Sequence, residues 1–224
     1  MSDLNIFLQH NVEGYLFEDL KTLKAASITP GKTAGAVGYP LVMTAFAGIE
    51  LLGALVSTQE FNPSHGAEYF TAYWSQYLYD TDPARKDAGN VLYKLVRHGL
   101  AHVFVTKGDI GVAKGAPSRH LMRDDDGCVW IDANQLAEDL MSSYCTRFKP
   151  LLTKASGPVN LKTIADRYKE MVNEYTAQAT PLMAKLKLPT IKRDILAPHP
   201  INSGPVPIDT QSMFLIYNAS KSTP

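Results

Sequence analysis

The sequence predicts a mainly α-helical protein: a helical bundle with a small β-hairpin and a C-terminal helical extension. Three observations support this fold class. Apolar residues recur at three- and four-residue spacing over most of the first 186 residues, and residues of helix-capping type precede several of these segments. Only residues 118–131 carry the pattern of a hairpin. We therefore expect one helical domain over residues 1–190, with the hairpin inside it, and an extended proline-rich tail over residues 191–224.

The charge and cysteine content limit the functions that the chain can perform. Its 22 basic and 22 acidic residues cancel, which argues against binding nucleic acid or a membrane through overall charge. Cys128 and Cys145 lack the spacing of a zinc site or a disulfide framework. The N-terminus has neither the basic start nor the continuous apolar stretch of a secretory signal. We expect a cytoplasmic location, no membrane partner, no metal and no cofactor.

The first half of the chain predicts four helices. Their spans are residues 2–24, 40–57, 65–79 and 83–105. The second is apolar on almost every side, falls short of a membrane span and should be a central core helix. The third contains six aromatic residues, which fit either a packed core or a surface that stacks bases. The fourth has the clearest start, with Asp82 as N-cap and Pro83 in the first turn.

The second half of the chain predicts the hairpin and two more helices. The hairpin turn is expected at residues 124–127, where Asp-Gly separates two apolar runs. Asp132 and Asn160 should cap helices that end near residues 153 and 186, the second kinked at Pro181.

The last part of the chain predicts an extended tail. Residues 188–211 contain five prolines, and residues 213–217 fit either a final strand or a segment that docks on a partner.

Two short motifs have superficial similarity to ligand-binding loops. Residues 31–38, GKTAGAVG, contain Gly-Lys-Thr, but Ala26 stands where a phosphate-binding loop needs its first glycine. The acidic run at residues 124–126 lacks the ligand spacing of a calcium loop, and Gln135 replaces its closing Glu. We interpret the first as a helix connection and the second as a solvated turn.

The fourth predicted helix contains a concentrated group of reactive side chains, within the segment YKLVRHGLAH at residues 93–102. At 100° per residue, His98 and His102 project from nearly the same face, and Arg97 is long enough to reach the same anion. An imidazole exchanges protons near neutral pH, and a guanidinium holds a phosphate through two parallel hydrogen bonds. These groups are the minimum needed to cleave an RNA backbone without a metal ion.

Arg, a polar residue, three further residues and His, late on a helix of a small helical domain, resemble the signature of the HEPN superfamily. Many of its members are endoribonucleases of toxin–antitoxin, phage-defence and RNA-processing systems. The resemblance covers residues 38–107 and implies that Arg97 and His102 are the catalytic pair, with His98 at the polar position. The segment GIELLG at residues 48–53 resembles the helix that packs beside the motif, which makes Glu50 a supporting residue. The resemblance to the HEPN superfamily further implies that the ligand is RNA or a nucleotide and that a homodimer forms through the motif helix.

The sequence therefore predicts a metal-independent endoribonuclease that leaves a 2′,3′-cyclic phosphate. The alternative is a non-catalytic nucleotide- or RNA-binding or protein-interaction domain, in which Arg97 pairs with Glu50 or Glu68 and only joins helices. A zinc site at His98 and His102 lacks the Glu of an HExxH motif and a third ligand. Arg193 and His199 have a similar spacing, of six positions rather than five, outside any predicted helix, so the helical context favours residues 97–102.

Overall fold

A computed structural model describes residues 3–27, 37–97, 99–100, 106 and 108–187. The described chain is mainly helical with a small sheet, so the predicted fold class is confirmed at that level. Residues Ser2–Ala177 form one compact unit, and a second unit contains the residues from Gln178 onward. Several predictions fall outside the described residues: the start of the first helix at residue 2, most of GKTAGAVG, His98 and His102, and the tail beyond residue 187.

The helical elements follow the predicted order. They are α1 (residues 3–25), α2 (Gly38–Val56), α3 (residues 66–78), α4 (Pro83–Lys86), α5 (residues 89–97), α6 (residues 133–148) and α7 (Leu161–Met183). Single 3-10 turns occupy Pro63–His65, Pro117–Arg119 and Lys149–Thr153. Four helices contain a π-helical stretch, at Leu8–Leu16, Trp74–Leu78, Tyr93–Arg97 and Tyr144–Phe148. Such wider turns are rare and are often found at functional sites.

The helix starts that the sequence predicted are formed by side-chain caps. Asp82 Oδ1 accepts from the backbone amide of Arg85 at 3.2 Å, and Asp132 Oδ1 accepts from that of Gln135 at 2.8 Å. Asn160 caps α7 in the same way. These predictions are confirmed because a side-chain oxygen satisfies an amide that the first turn leaves unpaired. The predicted helix from Pro83 differs in one respect, since a turn at residues 87–88 separates α4 from α5.

The sheet has three short strands in the order β1 (Ile110–Ala113), β3 (Val129–Asp132) and β2 (Met122–Arg123). Strands β2 and β3 form the predicted antiparallel hairpin, with Met122 opposite Trp130. Strand β1 pairs with β3 in parallel, which the sequence analysis missed. A four-residue strand has too little alternation to be recognised, and its pairing depends on residues distant in the chain.

Helix α2 is the centre of the hydrophobic core. It contacts α1, α3 and α6, and its fully buried side chains include Phe46, Ile49 and Leu52. We expected this apolar segment to fall short of a membrane span, but by length and composition alone the helix could cross one. However, 61% of its most apolar stretch is buried inside the protein, as in a core helix. The assignment as a core helix therefore depends on packing rather than on length.

Helices α2 and α3 approach each other closely at Gly53. A Cβ atom at this position would lie 2.0 Å from the backbone oxygen of Tyr69, so only glycine permits the contact. On α3, the aromatic side chains of Phe70, Tyr73 and Trp74 are fully buried. These three rings therefore form core rather than a base-stacking surface.

A buried polar cluster joins the sheet to the helices. His120 is only 1% exposed; its Nδ1 accepts from the backbone amide of Asp132, and its Nε2 lies 3.0 Å from the hydroxyl of Tyr79. That hydroxyl donates to Asp139 Oδ2 at 2.6 Å, and Gln135 donates to the other carboxylate oxygen. Burial opposes ionisation of Asp139, but the hydrogen bonds from His120, Tyr79 and Gln135 outweigh it and lower its pKa.

Replacing Gly53 with Ala should destabilise the protein by about 3 kcal/mol, because the added methyl group collides with backbone that cannot move aside. Chemical denaturation gives the free energy of unfolding. Gly38→Ala is the matched control: its methyl group would meet only the side-chain end of Val112, at 3.3 Å, and should cost less than about 1 kcal/mol. Equal effects of the two substitutions would contradict the close approach of α2 and α3.

The Asp139 cluster should make stability depend on acid pH. The folded pKa of Asp139 lies below its ordinary value of 3.8, so the ionised carboxylate stabilises the fold above that value. This contribution should be lost as the pH falls through 3.8 towards the folded pKa. Asp139→Asn cannot titrate, so its free energy of unfolding should decline less steeply than that of the wild type over this range. Parallel pH profiles would show that Asp139 is not stabilised in the ionised form.

Candidate functional site

Of the three motif residues Arg97, His98 and His102, the structure describes Arg97, which lies on the π-helical stretch of α5. Its Nε atom lies 3.7 Å from Glu50 Oε2, and its side chain is 29% exposed. This Nε is shielded from solvent and has no hydrogen-bond partner among the described residues. The sequence left Glu50 and Glu68 as possible partners of Arg97. In the structure Glu50 is within ion-pair distance of Arg97. The pair connects α5 to the central helix α2.

Tyr93 is the third member of this group. Its hydroxyl donates to Glu50 Oε2 at 3.1 Å. Burial, and then the negative charge of Glu50, raise the pKa of Tyr93 to about 12, so the phenol remains protonated at neutral pH. Gly66 leaves room for this contact, because a Cβ atom there would lie 2.6 Å from Glu50 Oε1 and 2.8 Å from the Tyr93 hydroxyl.

A cavity of about 150 Å³ opens beside these side chains. Glu50 and Arg97 form its polar part, whereas Phe61, Tyr69 and Tyr175 contribute aromatic rings. The cavity thus combines a guanidinium, a carboxylate and aromatic surface in one place. Such a combination suits a ligand with an anionic group and a flat ring.

The structure brings together two of the four predicted site residues, Glu50 and Arg97. His98 and His102 lie outside the described residues, so their convergence with Arg97 stays a prediction. Tyr93 was not among the predicted site residues, although it precedes Arg97 by four positions and such a pair shares one helix face. Phe61 and Tyr175 gave no comparable signal, because they are distant in the chain from the motif.

A second cavity, of about 370 Å³, lies between α3 and α6 and has a mostly polar lining. Its charged groups already have partners: Arg147 donates to both oxygens of Asp80, at 2.7 and 2.9 Å, and Arg85 lies 3.4 Å from Asp82. Within the described ranges, no three His, Cys, Asp or Glu side chains group as metal ligands would. The cavity beside Arg97 contains two of the predicted site residues, Glu50 and Arg97, and we take it as the candidate site.

Comparisons with known protein families, with curated proteins and with solved structures found no match. The candidate site is accordingly defined by its own side chains. The guanidinium of Arg97 can contact an anion and the carboxylate of Glu50 can accept a hydrogen bond, whereas the phenol of Tyr93 already donates to Glu50. The two charged side chains that line the cavity therefore offer one group for an anion and one for a hydrogen-bond donor.

Arg97→Ala should lower the free energy of unfolding by no more than about 1 kcal/mol, because the ion pair with Glu50 is partly exposed. Chemical denaturation of this variant beside the wild type tests the expectation. Arg147→Ala, which removes another partly exposed ion pair, is the matched control and should have a similar effect. A loss several times larger would identify Arg97 as mainly a structural link between α5 and α2.

Proposed function

We propose that this protein is a HEPN-like, metal-independent endoribonuclease of a toxin, phage-defence or stress system, acting in the cytoplasm as a homodimer. The observation that supports it most directly is the position of Arg97, whose partly exposed guanidinium borders an open cavity. In the sequence, His98 and His102 follow Arg97 by one and five positions, as the HEPN signature requires.

In the proposed reaction, a general base removes the proton of a ribose 2′-hydroxyl, and the 2′-oxygen attacks the adjacent phosphorus. The bond from phosphorus to the 5′-oxygen breaks, and a general acid gives that oxygen a proton. The products are a 2′,3′-cyclic phosphate and a 5′-hydroxyl. We assign the acid–base role to His102, charge stabilisation in the transition state to Arg97, and orientation of the phosphate to His98.

One histidine cannot act as acid and base in the same step, so the proposal needs a second copy of the chain. A homodimer that pairs two α5 helices would supply the second His102. Val91 on α5 is 56% exposed, which is consistent with an apolar contact on this helix. The carboxylate of Glu50 would hold Arg97 in place through the ion pair between them.

The proposal predicts cleavage of mixed RNA by purified protein in the presence of a chelator. His102→Ala should reduce the rate by about 10²–10⁴-fold, as expected for loss of a general acid–base group. Arg97→Ala should reduce it by about 10²–10³-fold, as expected for loss of a transition-state donor. Mass spectrometry of the fragments should find 2′,3′-cyclic phosphate ends.

Two control variants make this experiment specific. His10→Ala removes an exposed histidine on α1, and Arg193→Ala removes the arginine whose spacing to His199 imitates the motif. Both should cleave RNA at the wild-type rate. Equal cleavage by all variants would place the activity at another site or in a contaminant, and cleavage that stops in the chelator would overturn a metal-independent mechanism.

The alternative proposal is a non-catalytic nucleotide- or RNA-binding domain. It is favoured by the contact of Arg97 and Tyr93 with Glu50, which resembles a network that joins helices. In that case no RNA would be cleaved by any variant, but Arg97→Ala would still weaken RNA binding. A gel-shift titration at fixed salt concentration distinguishes this outcome from a chain that does not bind RNA.

A further inference from the structure

The cavity beside Arg97 has an aromatic part that cleavage of a phosphodiester does not require. The rings of Phe61 and Tyr69 are stacked, with centroids 5.8 Å apart and 11° between their planes. Tyr175 on α7 meets Phe61 edge-on at 5.5 Å. Tyr175 is 51% exposed, so its ring is accessible from solvent. Exposed aromatic rings at a nucleic-acid site commonly stack on bases.

The volume of the cavity indicates the size of the group that fits it. At about 150 Å³, it matches the volume of roughly 150 Å³ at which an engineered cavity in another protein admits one benzene ring. A pyrimidine is a single six-membered ring, whereas a purine has a second ring fused to it. The cavity therefore suits a pyrimidine better than a purine.

The carboxylate of Glu50 supplies the hydrogen-bonding preference. Its Oε2 atom is occupied by the hydroxyl of Tyr93 and the guanidinium of Arg97. Its Oε1 atom accepts no hydrogen bond from any residue in the part of the chain that the structure describes. An ionised carboxylate only accepts hydrogen bonds, so a base beside it must offer a donor. Cytosine offers its N4 amino group, whereas uracil presents the O4 acceptor at the same position.

We propose that this cavity is a subsite for a cytosine base, which stacks on Tyr175 and donates from N4 to Glu50 Oε1. The phosphate of the same nucleotide would contact Arg97, which borders the same cavity. The proposal deepens the proposed function and rests on it for the role of the phosphate. Recognition of the base, however, requires no cleavage and can be measured separately.

Isothermal titration calorimetry of the full chain with cytidine 3′-monophosphate and with uridine 3′-monophosphate tests the preference. The two probes differ in the exocyclic group that faces Glu50 and in protonation at the adjacent ring nitrogen. Cytidine 3′-monophosphate should bind about tenfold more tightly, because uracil leaves two acceptors in contact. Glu50→Gln can present either an oxygen or an amino group, so the two dissociation constants should become nearly equal.

Substitutions of Tyr175 test how much stacking contributes to nucleotide binding. Tyr175→Ala should weaken binding of both nucleotides by about tenfold, because every base has a face that stacks on an aromatic ring. Tyr175→Phe keeps the ring and should bind both as the wild type does. Leu161→Ala, at another exposed position of the same helix, is the control for nonspecific effects and should also leave binding unchanged.

Several results would overturn the subsite. These are equal affinities of the wild type for the two nucleotides, unchanged binding by Tyr175→Ala, or no saturable binding of either nucleotide at millimolar concentration. The outcome is independent of the cleavage assay. A preference for cytidine without RNA cleavage would disprove the nuclease and keep the subsite, whereas cleavage with equal affinities would disprove the subsite alone.

Discussion

Burial of helix α2 is the constraint on which the rest of the structure depends. The helix is apolar on nearly all sides and packs against α1, α3 and α6, so the fold is built around it. Glu50 is its one acidic residue, and a carboxylate at the edge of such a helix requires polar partners. The position of Glu50 in turn determines where Arg97 and Tyr93 can be placed. The candidate site is thus a consequence of core packing.

Glu50 contacts both Arg97 and Tyr93 through one of its two carboxylate oxygens. The Arg97 Nε atom lies 3.7 Å from Glu50 Oε2, which is an ion-pair contact beyond hydrogen-bond distance. The phenol of Tyr93 donates to one carboxylate oxygen of Glu50, and the other oxygen lies beside Gly66, which lines the cavity. The same three side chains would also form a structural network that joins helices. Only measurements of ligand binding or RNA cleavage distinguish such a network from a functional site.

The sequence was sufficient for features that depend on local chemistry. The caps at Asp82, Asp132 and Asn160 are visible because each helix start needs an acceptor within three residues. Strand β1 and the cavity were not visible, because both arise from residues far apart in the chain. The contact of Arg97 with Glu50 is intermediate: the need for a partner could be predicted, but the choice between two carboxylates required coordinates.

The chain contains two tryptophans, and they occupy unlike environments. Trp74 is fully enclosed in the helical core and donates its indole N–H to the backbone oxygen of Arg85. Trp130 belongs to the sheet, where it donates to Asp124 and lies under the guanidinium of Arg119. The protein therefore carries its own pair of fluorophores, one for the bundle and one for the sheet. Replacing either with Phe would let the emission of the other report whether these parts melt together or in separate steps.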